Sequence, residues 1–184
     1  MDPTGKGNVE MEFARSLVRS NNPRKFLDDV TSYIDASNVY GSDKEQMNGL
    51  RTFRDGKMKV SEGNFLPFDP ENPSFFIAGD FRANENIALT SVHTLFVREH
   101  NRKAAEFKTV DPNLSDEELF QLARQWNIAL LQKITVEDWL PNLIGPEAYY
   151  KYIGAYKGYN EDIDSSVMNE FATAGFRVGH LLLR

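Results

Sequence analysis

Residues 78–107 read AGDFRANENIALTSVHTLFVREHNRKAAEF, and their organisation sets the class of the whole chain. Gly79-Asp80 marks a turn, and Arg82 and Glu85 follow it just ahead of a helical pattern. From Ile87 to Phe107, Val92, Leu95, Phe96 and Ala105 recur near a 3.6-residue period, with Arg98, Glu99, Arg102 and Lys103 mostly off that stripe. The spacing predicts an amphipathic helix whose stripe faces a core. Downstream, Ser115-Asp116-Glu117-Glu118 combines a Ser N-cap with acidic residues in the first turn, so a second helix is expected to run to about Asp138, with Pro141 barring much extension. Glu147–Tyr152 is expected to add a turn or two, and Ser165–Leu183 a last helix that tolerates Gly175 and Gly179.

Upstream the pattern is looser. Pro3, Gly5, Gly7 and Pro23 make the first 24 residues read as surface loop. Tyr40-Gly41-Ser42-Asp43 turns into a short polar helix over Lys44–Leu50, and residues 54–75, rich in Gly, Pro, Asn and Asp, are expected to be irregular. The fold class is therefore mainly α, with little β. The last helix ends in Leu181-Leu182-Leu183-Arg184 without a Gly, Asn or Pro terminator, so the natural chain is expected to continue.

Composition narrows the chemistry. The 184 residues are 41% hydrophobic and 12% aromatic, enough for a core and too aromatic for disorder. A net charge of −6 gives a phosphate backbone or anionic membrane little to bind, so no nucleic-acid partner is expected. No cysteine is present, which excludes disulfides, Cys-ligated zinc, iron–sulfur clusters and thiol nucleophiles. No apolar run approaches the length of a transmembrane span, and the start lacks the apolar stretch of a signal peptide.

Three groups of residues could carry function. His93 and His100 lie seven apart on one predicted helix, too far to chelate one ion, and read as hydrogen-bonded structural residues. The third histidine, His180, ends Phe176-Arg177-Val178-Gly179-His180, where Arg177 shares its helical face and Gly179 leaves room beside the imidazole for a flat group. In Thr31-Ser32-Tyr33-Ile34-Asp35-Ala36-Ser37, the Thr31, Asp35 and Ser37 oxygens and the Tyr33 carbonyl could turn toward one hard cation, although one carboxylate is thin for calcium. Asp162-Ile163-Asp164 lacks the Gly and Glu of an EF-hand and reads as a loop.

Taken together, these strings resemble the animal haem peroxidase family. Phe176-Arg177-Val178-Gly179-His180 is similar to its proximal-histidine motif. Ala78-Gly79-Asp80-Phe81-Arg82 to Glu85, with Leu89-Thr90-Ser91, Val92-His93-Thr94 and Arg98-Glu99-His100-Asn101-Arg102, resembles the segment carrying its distal arginine, and Thr31 to Gly41 resembles its calcium loop. Ile134-Thr135, Leu140-Pro141, Gly145-Pro146, Tyr156 and Tyr159-Asn160 also look like the family, so the resemblance covers about four-fifths of the chain.

The resemblance implies one partial peroxidase domain over residues 1–184, with 1–24 an extension and 25–184 the core segment. It implies haem b, with His180 as the proximal iron ligand, Arg177 beside it, Arg82 as the cation that polarises peroxide, and Glu85 as a carboxylate able to ester-link to a haem methyl. It implies calcium held by Thr31, Tyr33, Asp35 and Ser37. The implied reaction is reduction of hydrogen peroxide with oxidation of halides or small aromatic donors, in an extracellular, secreted setting. The family's distal histidine, a second ester-forming carboxylate and a further calcium-ligating Asp would lie ahead of residue 1, and the Asn that accepts the proximal imidazole proton beyond residue 184. The missing parts of the same domain are therefore expected partners. Asn86 stands where one subgroup has a haem-linked Met, which excludes that linkage. The competing reading is a non-catalytic module of the same fold, for adhesion or protein interaction.

Overall fold

Asn86 and Ser115 begin the two long helices, each through its own side chain. Asn86 Oδ1 accepts from the Leu89 N–H at 3.0 Å and opens α3, Ile87–Val110. Ser115 Oγ accepts from the Glu118 N–H while the Glu118 carboxylate reaches back to the Ser115 N–H at 2.8 Å, a reciprocal capping box that opens α4, Asp116–Lys133. These caps satisfy amide protons that have no partner within the helix.

The computed structural model describes residues 18–22, 24–27 and 30–177, which fall into two compact units, Val30–Asp164 and Met1–Asp29 with Ser165–Arg184. In the first unit, α1 (Ser37–Tyr40) and α2 (Lys44–Leu50) precede a largely irregular stretch with isolated bridges Arg51–Met58 and Phe68–Phe76. After α4 the chain passes through a π-helical segment, Ile134–Trp139, then α5 (Leu140–Ile144) and α6 (Pro146–Tyr152). Pro141 and Pro146 each sit in the first turn of their helix, where the missing N–H is no loss. The core joins Val39 and Tyr40 of α1, Leu50 of α2, Met58, Leu66, Phe96 and Val97 of α3, and Phe120 of α4.

Three expectations are corrected. Of the predicted stripe Phe96 is buried while Val92, Leu95 and Ala105 are exposed; the buried face of α3 joins Phe96 to His93, Val97, His100 and Ala104. The helix is turned by polar residues that find partners inside, which a count of apolar side chains does not register. The described part of the expected helix Ser165–Leu183 is not continuous: Met168 is extended, α7 spans Asn169–Thr173, Gly175 to Arg177 form a 3-10 turn, and 178–183 lie outside the described residues. Thr173 Oγ1 donates back to the Asn169 carbonyl at 2.6 Å, and glycine at 175 weakens continuation. At the end of the first 24 residues, where loop was expected, β1 (Val18–Asn21) pairs antiparallel with β2 (Arg24–Phe26).

Candidate functional site

Arg82 sits in a 3-10 turn, Phe81–Asn84, directly ahead of α3. Asp80 caps that turn, its Oδ1 accepting from the Arg82 N–H at 2.9 Å, and the same carboxylate takes the Arg82 guanidinium at Nε and Nη2, the latter at 2.5 Å. The guanidinium holds the Asp80 carboxyl below the usual carboxylate range, against the opposing effect of partial burial. Glu85 follows the turn with its side chain exposed, and Phe81 and Ile87 beside this pair are 83% and 86% exposed. A cation and a carboxylate flanked by an open aromatic ring and an open aliphatic chain suit a flat, largely apolar group that carries charges at its edge.

Gly79 joins this turn to the oxygen-rich loop. A Cβ there would lie 2.5 Å from Gly41 N, Ser37 O and Val39 C, all main-chain atoms, so only glycine permits the approach. Gln46 spans the same junction, donating to the Gly79 carbonyl at 3.0 Å and accepting from the Ser42 N–H. In the loop itself, Thr31 Oγ1 accepts from the Tyr33 N–H and Asp35 Oδ1 from the Ser37 N–H at 2.9 Å. The neighbouring Tyr33 hydroxyl pushes Tyr159 up. Thr31, Tyr33, Asp35 and Ser37 thus share one short loop with all-oxygen chemistry and a single negative charge. Among the described residues no three His, Asp or Glu side chains gather as a metal cluster.

The histidines of α3 are structural, as their spacing implied. His93 Nδ1–H donates to the Leu89 carbonyl at 2.7 Å, and its Nε2 is buried with no hydrogen-bond partner. His100 is completely buried. Its Nε2–H donates to the Gly56 carbonyl at 2.7 Å, so Nδ1 is the acceptor for the Tyr40 hydroxyl at 2.8 Å. Asn127 completes the chain, donating to Tyr40 Oη and to the Phe96 carbonyl, each at 2.9 Å. Burial pushes His100 down to about 4 and the Tyr40 hydroxyl up.

Neighbouring residues of the same run clamp the irregular stretch onto α3. Asn101 exchanges two hydrogen bonds with the Met58 main chain, and Arg98 donates to the Asn64 and Gly63 carbonyls. Sequence reasoning passed over Tyr40, Asn127 and Arg51, which pairs with Asp116 and Glu117 across Phe120. A signal existed for one of them: Leu119, Ala123 and Asn127 recur every four residues, placing an amide on the apolar face of α4.

In the second unit Arg177 closes the 3-10 turn after α7, its Nε donating to the Ala172 carbonyl at 3.2 Å. His180 lies outside the described residues.

Comparisons with known proteins agree with one another. The sequence profile described as Animal haem peroxidase matches residues 1–184. The chain is 40% identical to "Peroxidasin homolog pxn-2" of Caenorhabditis elegans over 97% of its own length and 15% of that protein's. It is 40% identical to mouse thyroid peroxidase over 86% of its length and 20% of the relative's. Among solved structures, peroxidase A from Dictyostelium discoideum superposes with a TM-score of 0.74 at 32% identity, covering 85% of this chain and 32% of the other. The Arabidopsis thaliana fatty acid alpha-dioxygenase superposes with a TM-score of 0.55 at 34% identity, covering 60% and 17%. The chain spans a fifth or less of the length of these curated relatives.

Proposed function

Since the chain belongs to the animal haem peroxidase family, we propose that it forms part of a single haem peroxidase domain that binds haem b, with Arg82 and His180 among the residues that would serve the cofactor. Haem would supply the redox chemistry by which hydrogen peroxide is reduced and a halide or small aromatic donor oxidised. The observation that carries the reading is the Asp80–Arg82 turn, which sets a non-titrating cation and the Glu85 carboxylate on an open apolar edge. A guanidinium in that place stabilises negative charge developing on a departing oxygen. Glu85, exposed three residues further on, would be the carboxylate able to link to the cofactor. His180 would be the iron ligand, by the match of Phe176 to His180 to the proximal-histidine motif, with Arg177 three residues before it. The extracellular setting rests on family resemblance.

The test is spectroscopic. Haemin added to the refolded chain is expected to give a histidine-ligated Soret band that His180→Ala abolishes and that His93→Ala and His100→Gln retain. Loss in either of the last two, with His180→Ala unchanged, would sink the assignment.

Calcium belongs to the same proposal, at Thr31, Tyr33, Asp35 and Ser37. The donors are hard oxygens, as calcium requires, but only Asp35 brings charge and its Oδ1 already serves the Ser37 N–H. Binding is therefore expected to be weak, with a dissociation constant of roughly 10⁻⁴–10⁻³ M. Calorimetry should show it lost on Asp35→Ala. Sub-micromolar binding that survives that substitution would put the site elsewhere.

A further inference from the structure

Asp80 performs two tasks with one carboxylate. Oδ1 closes the turn on the Arg82 N–H at 2.9 Å, and the same oxygen accepts from Arg82 Nε at 2.9 Å while Oδ2 accepts from Nη2 at 2.5 Å. Nε and Nη2 form one edge of the guanidinium, so two near-parallel hydrogen bonds fix both its plane and its direction. The anchor is the less mobile partner: the Asp80 side chain is 13% exposed and that of Arg82 is 49% exposed.

The ground behind Asp80 is fixed as well. Gly79 lies against the α1 main chain, and Gln46 Nε2 donates to the Gly79 carbonyl. His93, held by its bond to Leu89, lies within electrostatic reach of Asp80 and favours its ionised form. A long arginine without such an anchor would lose rotamer freedom each time it met an anion.

We propose that Asp80 is a positioning residue for Arg82, gripping the guanidinium by its Nε–Nη2 edge so that the cation meets an anionic ligand or departing oxygen in one orientation. This rests on the role given to Arg82 above. Asp80 touches no reacting atom and acts only through Arg82. Asp80→Asn is the informative variant, because an amide oxygen still caps the turn while the charged grip is lost.

Two measurements test the proposal on the 184-residue chain. In the haem-free chain, nitrogen-15 NMR should show the Arg82 Nε–H exchanging slowly with water, and Asp80→Asn, which leaves Nε a weaker neutral acceptor and Nη2 none, should speed that exchange severalfold. Equal rates in the two proteins would remove the grip and overturn the proposal. With haemin bound, fluoride titration should give a dissociation constant about three- to tenfold higher in Asp80→Asn. No further change should appear when Asp80→Asn is added to Arg82→Ala. Weakening of equal size in the Arg82→Ala background would mean that Asp80 acts through the fold, and would also overturn the proposal. A chain that never develops the His180-dependent Soret band fails the haem reading itself, and the positioning role falls with it; the exchange rates then still report whether the grip exists.

Discussion

Loaded with haemin, the 184-residue chain is expected to turn over peroxide with guaiacol or bromide no more than a few-fold faster than free haemin. Cleaving the peroxide bond requires a base to move a proton from the inner to the outer oxygen, together with a cation near the departing atom. On the proposed reading Arg82 would meet the second requirement, and His93 and His100 do not meet the first. His93 is buried with Nδ1–H fixed on the Leu89 carbonyl, and His100 is sealed between Tyr40 and Gly56. The Asp80 carboxylate is engaged by the Arg82 guanidinium, and Glu85, if joined to the cofactor, would be a poor proton carrier. Fusing a relative's distal-histidine segment ahead of residue 1 should raise the rate by about 10²–10⁴-fold, the contribution of a positioned general base. Robust turnover by the unfused chain that disappears on Arg82→Ala would show the base to be present already.

The second large effect is on stability in acid. His100 has an ordinary value of 6.5 when the chain is unfolded and about 4 when folded, because burial disfavours its charge. A depressed folded value means that the contribution is complete above about pH 6.5 and is lost as the pH falls toward 4. The difference amounts to about 3 kcal/mol at ~1.4 kcal/mol per pH unit. Protonation also disrupts the hydrogen bonding: Nδ1 becomes a donor, the Tyr40 hydroxyl must accept from both His100 and Asn127, and its own proton loses its acceptor. Urea unfolding of the wild type should therefore weaken steeply between pH 6.5 and 4. His100→Gln should be less stable at pH 7.5 but should lack that part of the slope. Parallel pH profiles for the two proteins would show that His100 is not the group responsible.

Caps and turns were legible because each is decided by a few adjacent residues. Ser115 to Glu118 contains its whole capping box, and Gly79-Asp80 announces the turn that carries Arg82. The inward face of α3 was not legible from apolar spacing, because His93 and His100 occupy it on the strength of partners near and far. The Gly56 carbonyl lies 44 residues from His100, and Tyr40 lies 60 away. The π-helical segment Ile134–Trp139 likewise gives no signal in a 3.6-residue pattern, since a wider turn shifts every later side chain around the axis. The candidate site was legible as motifs, but the grip of Asp80 on Arg82 was not, because residues two apart in a helix face different ways and meet here only through the 3-10 turn.

Gly79 determines how freely this region can vary. Its contact with Ser37, Val39 and Gly41 is made wholly by main-chain atoms, so substitutions at Ser37 or Val39 leave the touching surface chemically unchanged. Tolerance is therefore lopsided: the segments on both sides can drift in side-chain identity, while position 79 admits hydrogen alone. Even one methyl group there would force apart the loop that carries Asp35 and the turn that carries Arg82, and no compensating trim is available on the other side, because a backbone cannot be made smaller.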